Sequence, residues 1–378
     1  MTTESFLPTT NGVTTSVCRV FETLRERGHD AMVIAPAAGS PPRYAGFPVL
    51  QVPAFAYRQF PVGLPSPAVA RALVEFSPDV VHVASPFLLG GQAIAAAHRL
   101  AIPSVAIYQT DLAGYTRTNR LSAATPLAWK VVRRIHERAD VTLAPSSSAL
   151  ADLAAAGVPR LARWGRGVDL ERYHPRNRLS GEANMLRRRI APNNDVVIGY
   201  VGRLAPEKRV ERLAALRGIR GIRIAIVGDG PAEASVRRAL RGMPVTWLGR
   251  LGGEELATAY ASFDLFVHTG TEETFGQTVQ EAHASGLPVL APRSGGPIDL
   301  IRDHETGILF EPHDDSRMRA AVELLVGEAG RRSVLGRSWS TVCDELIEHY
   351  RAVMTAVPRE PPLERTAILS QVSRYRST

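Results

Sequence analysis

Two short stretches carry residue types suited to gripping a phosphate. In "YVGRLAPEKRV", residues 200–210, the guanidinium of Arg203 and the ammonium of Lys208 follow a glycine at the end of an apolar run. Arginine offers a planar fork of donors and lysine a compact point charge, a pair suited to holding a diphosphate. A solvated basic loop would carry the same residues. "IVGDGPAEA", residues 226–234, turns on Gly228 and Gly230, where a missing Cβ lets backbone N–H groups approach a ligand closely. Many α/β proteins turn on the same tripeptide.

A third stretch, "EETFGQTVQEA", residues 272–282, sets Glu273 just before Phe275-Gly276 and Glu281 eight positions later. Gly276 is a poor choice for the first turn of an ordinary amphipathic helix. With a helix starting around Phe275 to Gln277, free N–H groups and the positive dipole end would face an anion or a sugar oxygen. Glu281, two turns in, is placed to accept ribose hydroxyls, as an acid does in dinucleotide sites. Capping and surface acids are the competing explanation. "PRSGGPIDLI", residues 292–301, is a further Gly-rich loop opening a helix.

Loops of this kind must be carried by strands and helices. Short apolar runs with strand character are "AMVIAP", "VLQVP", "DVVHVA", "SVAIYQ" and "VTLAPS" in the first half. In the second they are "DVVIGYVG", "IRIAIVGDG", "VTWLGR", "DLFVHTG", "LPVLAP" and "TGILFEP". Helical patterns such as "GVTTSVCRVFETLRERG", "SPAVARALVEF", "GGQAIAAAHRL" and "SSALADLAAAG" separate them. Such alternation predicts an α/β fold of two doubly wound, Rossmann-like domains facing across a cleft, with ligands beyond the carboxyl ends of the strands. The expected domains are residues 1–178 and 179–340, divided by the polar "ERYHPRNRLSGEANM". A helix over 341–357 would pack back on the first domain, followed by a loosely attached tail at 358–378.

The chain has 378 residues, 45% hydrophobic and 22% charged, a globular composition for two or three domains. No apolar run approaches the ~20 residues of a membrane span, and the polar "MTTESF" start is no signal peptide. Cys18 and Cys343 match no metal spacing, so a reducing cytoplasm is expected. Net charge is +8, of which +7 falls in residues 1–180. A basic half attracts nucleic acid, anionic membrane or acidic small substrates. Aromatics are only 6% and no basic run is interleaved with them, so nucleic acid is not an expected partner.

Taken in order, Gly-Arg-x-x-x-x-Lys, Gly-Asp-Gly-Pro, Glu-x-Phe-Gly-x-x-x-x-Glu and Ser-Gly-Gly-Pro resemble the retaining glycosyltransferases of the GT-B fold. The family is glycosyltransferase family 4, which includes glycogen and sucrose synthases and the phosphatidylinositol mannosyltransferases. "ESFLPTTNGVTTSV", "YQTDLAGY" and "RWGRGVDLERYHP" are similar to actinobacterial GDP-mannose-dependent α-mannosyltransferases, which act on phosphatidylinositol or glucuronosyl diacylglycerol. The resemblance spans residues 4 to about 355. It implies that Arg203 and Lys208 bind the donor diphosphate and stabilise the leaving nucleotide, while Glu273 contacts the sugar. Phase and orientation of the donor would further involve Gly12, Gly228, Gly230, Leu248, Phe275, Gly276, Gln277 and Glu281. Asn11, Asp111 and Tyr115 would face the acceptor, with Asp111 also counted among the catalytic groups.

Such a site needs cations at the developing diphosphate charge and no metal, and the chain contains no Asp-x-Asp. No cofactor is therefore expected. GDP-mannose would be the donor, and an anionic lipid or glycolipid at the inner face of the plasma membrane the acceptor. The amphipathic "PLAWKVVRRIHERAD" would give peripheral membrane contact, although an interdomain helix reads the same way. A UDP-sugar donor, a soluble acceptor, or a non-catalytic nucleotide-sugar binder are the alternatives. Two departures stand out. Where many relatives place His-Thr, this chain has Gln109-Thr110-Asp111, so no catalytic histidine is expected. And "MTTE" stands where a buried first strand should end, which predicts a gap with unpaired backbone groups and a true start about 5–8 residues upstream.

Overall fold

The computed structural model describes residues 1–9, 11–57, 60–109, 125–327 and 336–356. Two compact units emerge: Met1–Gly165 with the chain from Ser340 onward, and Arg166–Trp339. The divide thus falls ahead of the Pro- and Arg-containing segment expected to hold it. That segment is fastened to the second unit, because Arg178 and Arg187 each reach Asp264 at 2.5 Å.

In the first unit, β1 (Val33–Pro36) runs parallel to β3 (Phe47–Val52), and β2 (Arg43–Tyr44) pairs antiparallel with β3. A hairpin of β4 (Ala54–Tyr57) and β5 (Phe60–Gly63) follows. β6 (Val81–Val83), β7 (Ser104–Ile107), β8 (Val141–Ala144) and β9 (Leu161–Arg163) are parallel neighbours in that order. β1, β6 and β7 are buried along their whole length, as strands covered on both faces require. Their covering helices are α1 (Gly12–Glu26), α2 (Pro67–Phe76), α3 (Leu88–Arg99), α4 (Thr125–His136) and α5 (Ser147–Ala155). Local chemistry sets where they begin. Ser66 caps α2 ahead of a proline in its first turn, and Ser146 caps α5.

The gap expected at the first strand is closed at its carboxyl end. Thr2 bridges in parallel to both Ile34 and Val83. Thr2 and Thr3 donate to the His82 and Ile34 carbonyls at 2.8 and 3.0 Å, and the Met1 and Thr2 carbonyls accept from Ile34 and Ala84. Three residues therefore join β1 to β6 with their backbone groups paired.

All six strands of the second unit are parallel: β10 (Val196–Val201), β11 (Ile222–Val227), β12 (Val245–Gly249), β13 (Leu265–Val267), β14 (Val289–Pro292) and β15 (Gly307–Phe310). Their spatial order is β12-β11-β10-β13-β14-β15, so the winding reverses between β10 and β13. Alternate side chains feed two cores. Val197 and Val201 of β10 join Phe266 on one face, while Ile198 and Tyr200 join Leu265 and Val267 on the other. The helices here are α6 (Gly181–Ile190), α7 (Glu233–Ala239), α8 (Gly253–Ser262), α9 (Gln277–Ala284), α10 (Pro297–Leu300) and α11 (Asp315–Gly327). The last, α12 (Trp339–Ala356), groups with the first unit from Ser340, where the Val342 carbonyl accepts from Trp164 Nε1 at 2.8 Å. Among the described residues no helix is long and apolar enough to cross a membrane.

Candidate active site

Open parallel sheets bind ligands where the strand order reverses, beyond the carboxyl ends. In the second unit that point lies between the loops after β10 and β13, and the two loops meet there. Lys208 Nζ, from the β10 loop, donates to Glu273 Oε2, from the β13 loop, at 2.6 Å. Neither side chain is more than about a quarter exposed (23% and 19%), so both remain reachable from one side. Thr269 fixes the approach by donating its hydroxyl to the Lys208 carbonyl at 2.6 Å.

Burial pushes the Glu273 carboxyl up, but the Lys208 ammonium, with help from His268 and Arg166, outweighs it and holds the group at about 2. The carboxylate is ionised throughout the neutral range. His268, at the end of β13, is buried and held down at about 4 by that burial, hence a neutral imidazole. Its Nε2 has no hydrogen-bond partner among the described residues.

Glycines shape both loops. A Cβ on Gly228 would lie 2.0 Å from the Gly202 carbonyl oxygen, and one on Gly230 would lie 2.3 Å from that of Leu204. The Gly-Asp-Gly turn is thereby required by close backbone packing against the Arg203 loop. The Gly228 N–H donates to the Gly249 carbonyl at 2.7 Å, so it is not offered to a ligand. On the other side, Gly296 N–H donates to the Glu273 carbonyl at 2.7 Å, and a Cβ on Gly296 would meet the Phe275 carbonyl at 2.1 Å. The Ser-Gly-Gly-Pro loop is the mould for the loop that carries Glu273.

α9 begins at Gln277 after Gly276, whose φ of 100° only glycine adopts readily, and no side chain caps it. Two turns in, Glu281 accepts from the Tyr260 hydroxyl at 3.0 Å. Burial drives its carboxyl up to about 7, opposed by the Tyr260 and Gln277 hydrogen bonds. Gln277 Nε2 and Gln280 Nε2 donate to the carbonyls of Gly167 and Arg166, each at 3.1 Å.

Of the residues singled out in the sequence, Lys208, Glu273, Phe275, Gly276, Gln277 and Glu281 share one end of this sheet. Arg203 is half exposed and ion-paired to Glu207, four residues on in the following 3-10 turn. It must leave that carboxylate to reach a phosphate. Leu248 is half-buried against the second unit's core. In the first unit, Asn11 Oδ1 caps α1 by accepting from Val13 N and Thr14 N, both at 3.0 Å, and Gly12 is the exposed first residue of that helix. Asp111 and Tyr115 lie outside the described residues. Gln109 is buried and donates to the Ala84 carbonyl at 3.2 Å, while His82 and His136 are buried and His98 is exposed.

Arg166 escaped the sequence reading. Its guanidinium lies over the Phe275 ring, 6.0 Å from the centroid, and it is buried. The one signal available was an arginine between two glycines, just past a short strand that the apolar pattern did not reveal.

Comparison with known proteins identifies the family. The family model described as Glycosyltransferase Family 4 matches residues 10–172, and that described as Glycosyl transferases group 1 matches residues 195–328. A protein of Mycobacterium tuberculosis named GDP-mannose-dependent alpha-mannosyltransferase is 48% identical over 93% of this chain and 95% of its own length. An alpha-monoglucosyldiacylglycerol synthase of Acholeplasma laidlawii is 25% identical over 82% of this chain and 84% of its own. Among solved structures, the sucrose-phosphate synthase of Thermosynechococcus elongatus superposes with a TM-score of 0.69, at 19% identity over 97% of this chain and 94% of that one.

Proposed function

The chain belongs to glycosyltransferase family 4, and on that premise we propose that it transfers mannose from GDP-mannose to a membrane glycolipid, with retention of configuration and without a bound metal. The carrying observation is the Lys208–Glu273 contact at the reversal point of the second GT-B unit. Lys208 neutralises charge growing on the leaving diphosphate, and Arg203 joins it after releasing Glu207. Glu273, ionised and held by the Ser-Gly-Gly-Pro mould, accepts hydrogen bonds from sugar hydroxyls. The uncapped start of α9 lends amide hydrogens to the same anion, and Glu281 takes the ribose hydroxyls.

Support for the lipid acceptor comes from α4 and from the relative that makes a glucosyl diacylglycerol. Leu127 and Val131 are exposed on the same helix as Lys130, Arg133 and Arg134, a surface that suits an anionic bilayer. Peripheral attachment through this helix is part of the proposal. Metal independence is supported by the chemistry of the donor loop, where side-chain cations can meet the charge that a metal would otherwise take; retention rests on the resemblance to the family.

The test is incubation of the purified protein with labelled GDP-mannose or UDP-glucose, bacterial membranes, and EDTA. Lipid-soluble label from GDP-mannose, undiminished by EDTA, is the expected result. Equal labelling from UDP-glucose overturns the donor assignment, water-soluble product the acceptor class, and EDTA sensitivity the metal independence.

A further inference from the structure

Glu273 has a difficulty built into its surroundings. The proposed chemistry draws Lys208 toward the donor diphosphate, yet Lys208 is also the direct ion-pair partner of Glu273. A buried carboxylate that loses its counter-ion takes up a proton, and a protonated Glu273 could no longer accept from sugar hydroxyls with a full negative charge. A second positive charge has to remain behind. Among the described residues, the groups that act on Glu273 are Lys208 from the β10 loop, His268 just past β13, Arg166 from the segment after β9, and the Tyr200 phenol from β10. His268 and Tyr200 are neutral at pH 7, since burial lowers the imidazole to about 4 and raises the phenol far above 10. Arg166 is the remaining cation of the set.

We infer that Arg166 is a positioning residue for Glu273, a guanidinium fixed beneath the sugar loop that keeps this carboxylate ionised while Lys208 serves the diphosphate. The inference rests on the reading that Lys208 moves to the donor. Its geometry is specific. The guanidinium packs over Phe275, two residues along from Glu273, and is 9% exposed. The Arg166 and Gly167 carbonyls are pinned by Gln280 and Gln277 from α9, the helix that this same loop opens. Gly167 is itself clamped, because a Cβ there would lie 2.4 Å from Trp339 Cα. The cation is therefore attached to the loop it serves. Burial lowers the Arg166 guanidinium only to about 10, so it stays charged across the neutral range. Packing on Phe275 alone would be met equally well by a methionine, which separates the charge from the shape.

The experiment titrates the Glu273 carboxyl directly, by carbon NMR of protein labelled at glutamate carboxyls, with the resonance assigned by its absence in Glu273→Gln. Lys208→Met mimics the loss of the ammonium to the donor. In that background the carboxyl should still titrate in the acid range, and adding Arg166→Met should raise its midpoint by about one to two pH units. Lys208→Met with Arg166→Lys should recover most of that shift. Equal midpoints with and without the Arg166 charge overturn the inference, and so does a lysine that behaves like methionine. Arg166→Gln in the same background answers the question should the methionine double variant fail to fold. With Lys208 intact, Arg166→Met should raise the acid limb of kcat more than that of kcat/KM, because the free enzyme still holds the ion pair. If the native protein transfers no mannose, the functional reading fails, while the titration still decides the role of Arg166.

Discussion

Each unit holds a glutamate in the loop beyond a parallel segment of its sheet, and the two are satisfied by opposite means. Glu4, just past the Thr2 bridge, accepts amide hydrogens from Gly63 at 3.1 Å, Leu89 at 2.6 Å and Gly90 at 3.4 Å. No side chain caps α3, and the Glu4 carboxylate takes that place at its start. Burial nonetheless carries the Glu4 carboxyl above its ordinary range, the three amides holding back only part of the rise. Glu273 is subject to the same burial and ends at about 2, because an ammonium lies 2.6 Å away. Amide hydrogens hold the first carboxylate, and a side-chain cation holds the second. The first arrangement leaves nothing for a ligand, and the second leaves a lysine and a carboxylate that can each exchange partners.

If that contrast is sound, the largest effect belongs to the cation. Lys208→Ala should lower kcat/KM for mannosyl transfer by about 10³-fold, the usual loss when a preorganised group at a developing anion is removed. Steady-state kinetics with GDP-mannose would check it. A loss below tenfold would mean that the diphosphate is held elsewhere, and the contrast between the two glutamates would be structural only.

Next comes Glu273→Gln, read through stability. The folded carboxyl sits at about 2 against an ordinary 4.5, so the folded chain binds this proton less tightly than the unfolded chain. Its contribution is present above pH 4.5 and is lost as pH falls toward 2. That gap corresponds to about 3 kcal/mol at neutral pH. Urea unfolding at pH 7 should show the amide variant destabilised by up to that amount, with a flatter acid limb. Unchanged stability at both pH values would show that Lys208 and Glu273 do not depend on each other.

Glu281 sharpens the comparison from inside the second unit. Like Glu4 it has no ammonium beside it among the described residues, and burial raises its carboxyl to about 7 against the weaker pull of Arg172. If donor ribose hydroxyls bind the ionised form, GDP affinity should weaken as pH falls below 7 and level off about tenfold lower once the group is protonated. In Glu281→Gln, affinity should be about tenfold lower at pH 8 and nearly flat with pH. Calorimetric titration at pH 6 and pH 8 tests both. A native protein whose affinity does not change over that range would remove Glu281 from the ribose.

Strand runs such as "DVVIGYVG" and "DLFVHTG" gave away the second unit, because parallel strands buried on both faces must be continuously apolar. Lys208 and Glu273 stood out for a related reason: a charge in the loop that follows such a run lies at the carboxyl end of the sheet. Arg166 did not, since it follows β9, two half-buried residues and an exposed arginine with no apolar run. Neither periodicity nor spacing can report that an arginine folds back over a phenylalanine 109 positions later. The role of Gly228 and Gly230 was legible only in part. The sequence shows that a Cβ is unwanted there, and only the coordinates show that the neighbour is the Arg203 loop backbone.

The smallest effect expected is that of Glu4→Gln, and its sign is what matters. A carboxyl raised by burial binds its proton more tightly folded than unfolded, so its contribution falls as pH rises through the interval above the ordinary value. The amide keeps one oxygen for the Leu89 and Gly90 N–H groups, turns its own NH2 toward the Gly63 N–H, and removes the buried charge. It also gives up a negative charge at the start of α3, worth about 0.3–1 kcal/mol. Removal of the buried charge opposes the lost Gly63 bond and the lost helix-start charge, so stability at pH 7 should fall by about 1 kcal/mol, less than the loss at Glu273. Transfer activity should be unchanged. Urea unfolding of the two Glu→Gln variants side by side makes the comparison decisive: a Glu4→Gln loss as large as that of Glu273→Gln would show that amide hydrogens hold a carboxylate as firmly as an ammonium does. The distinction between the two carboxylates would then have no energetic basis.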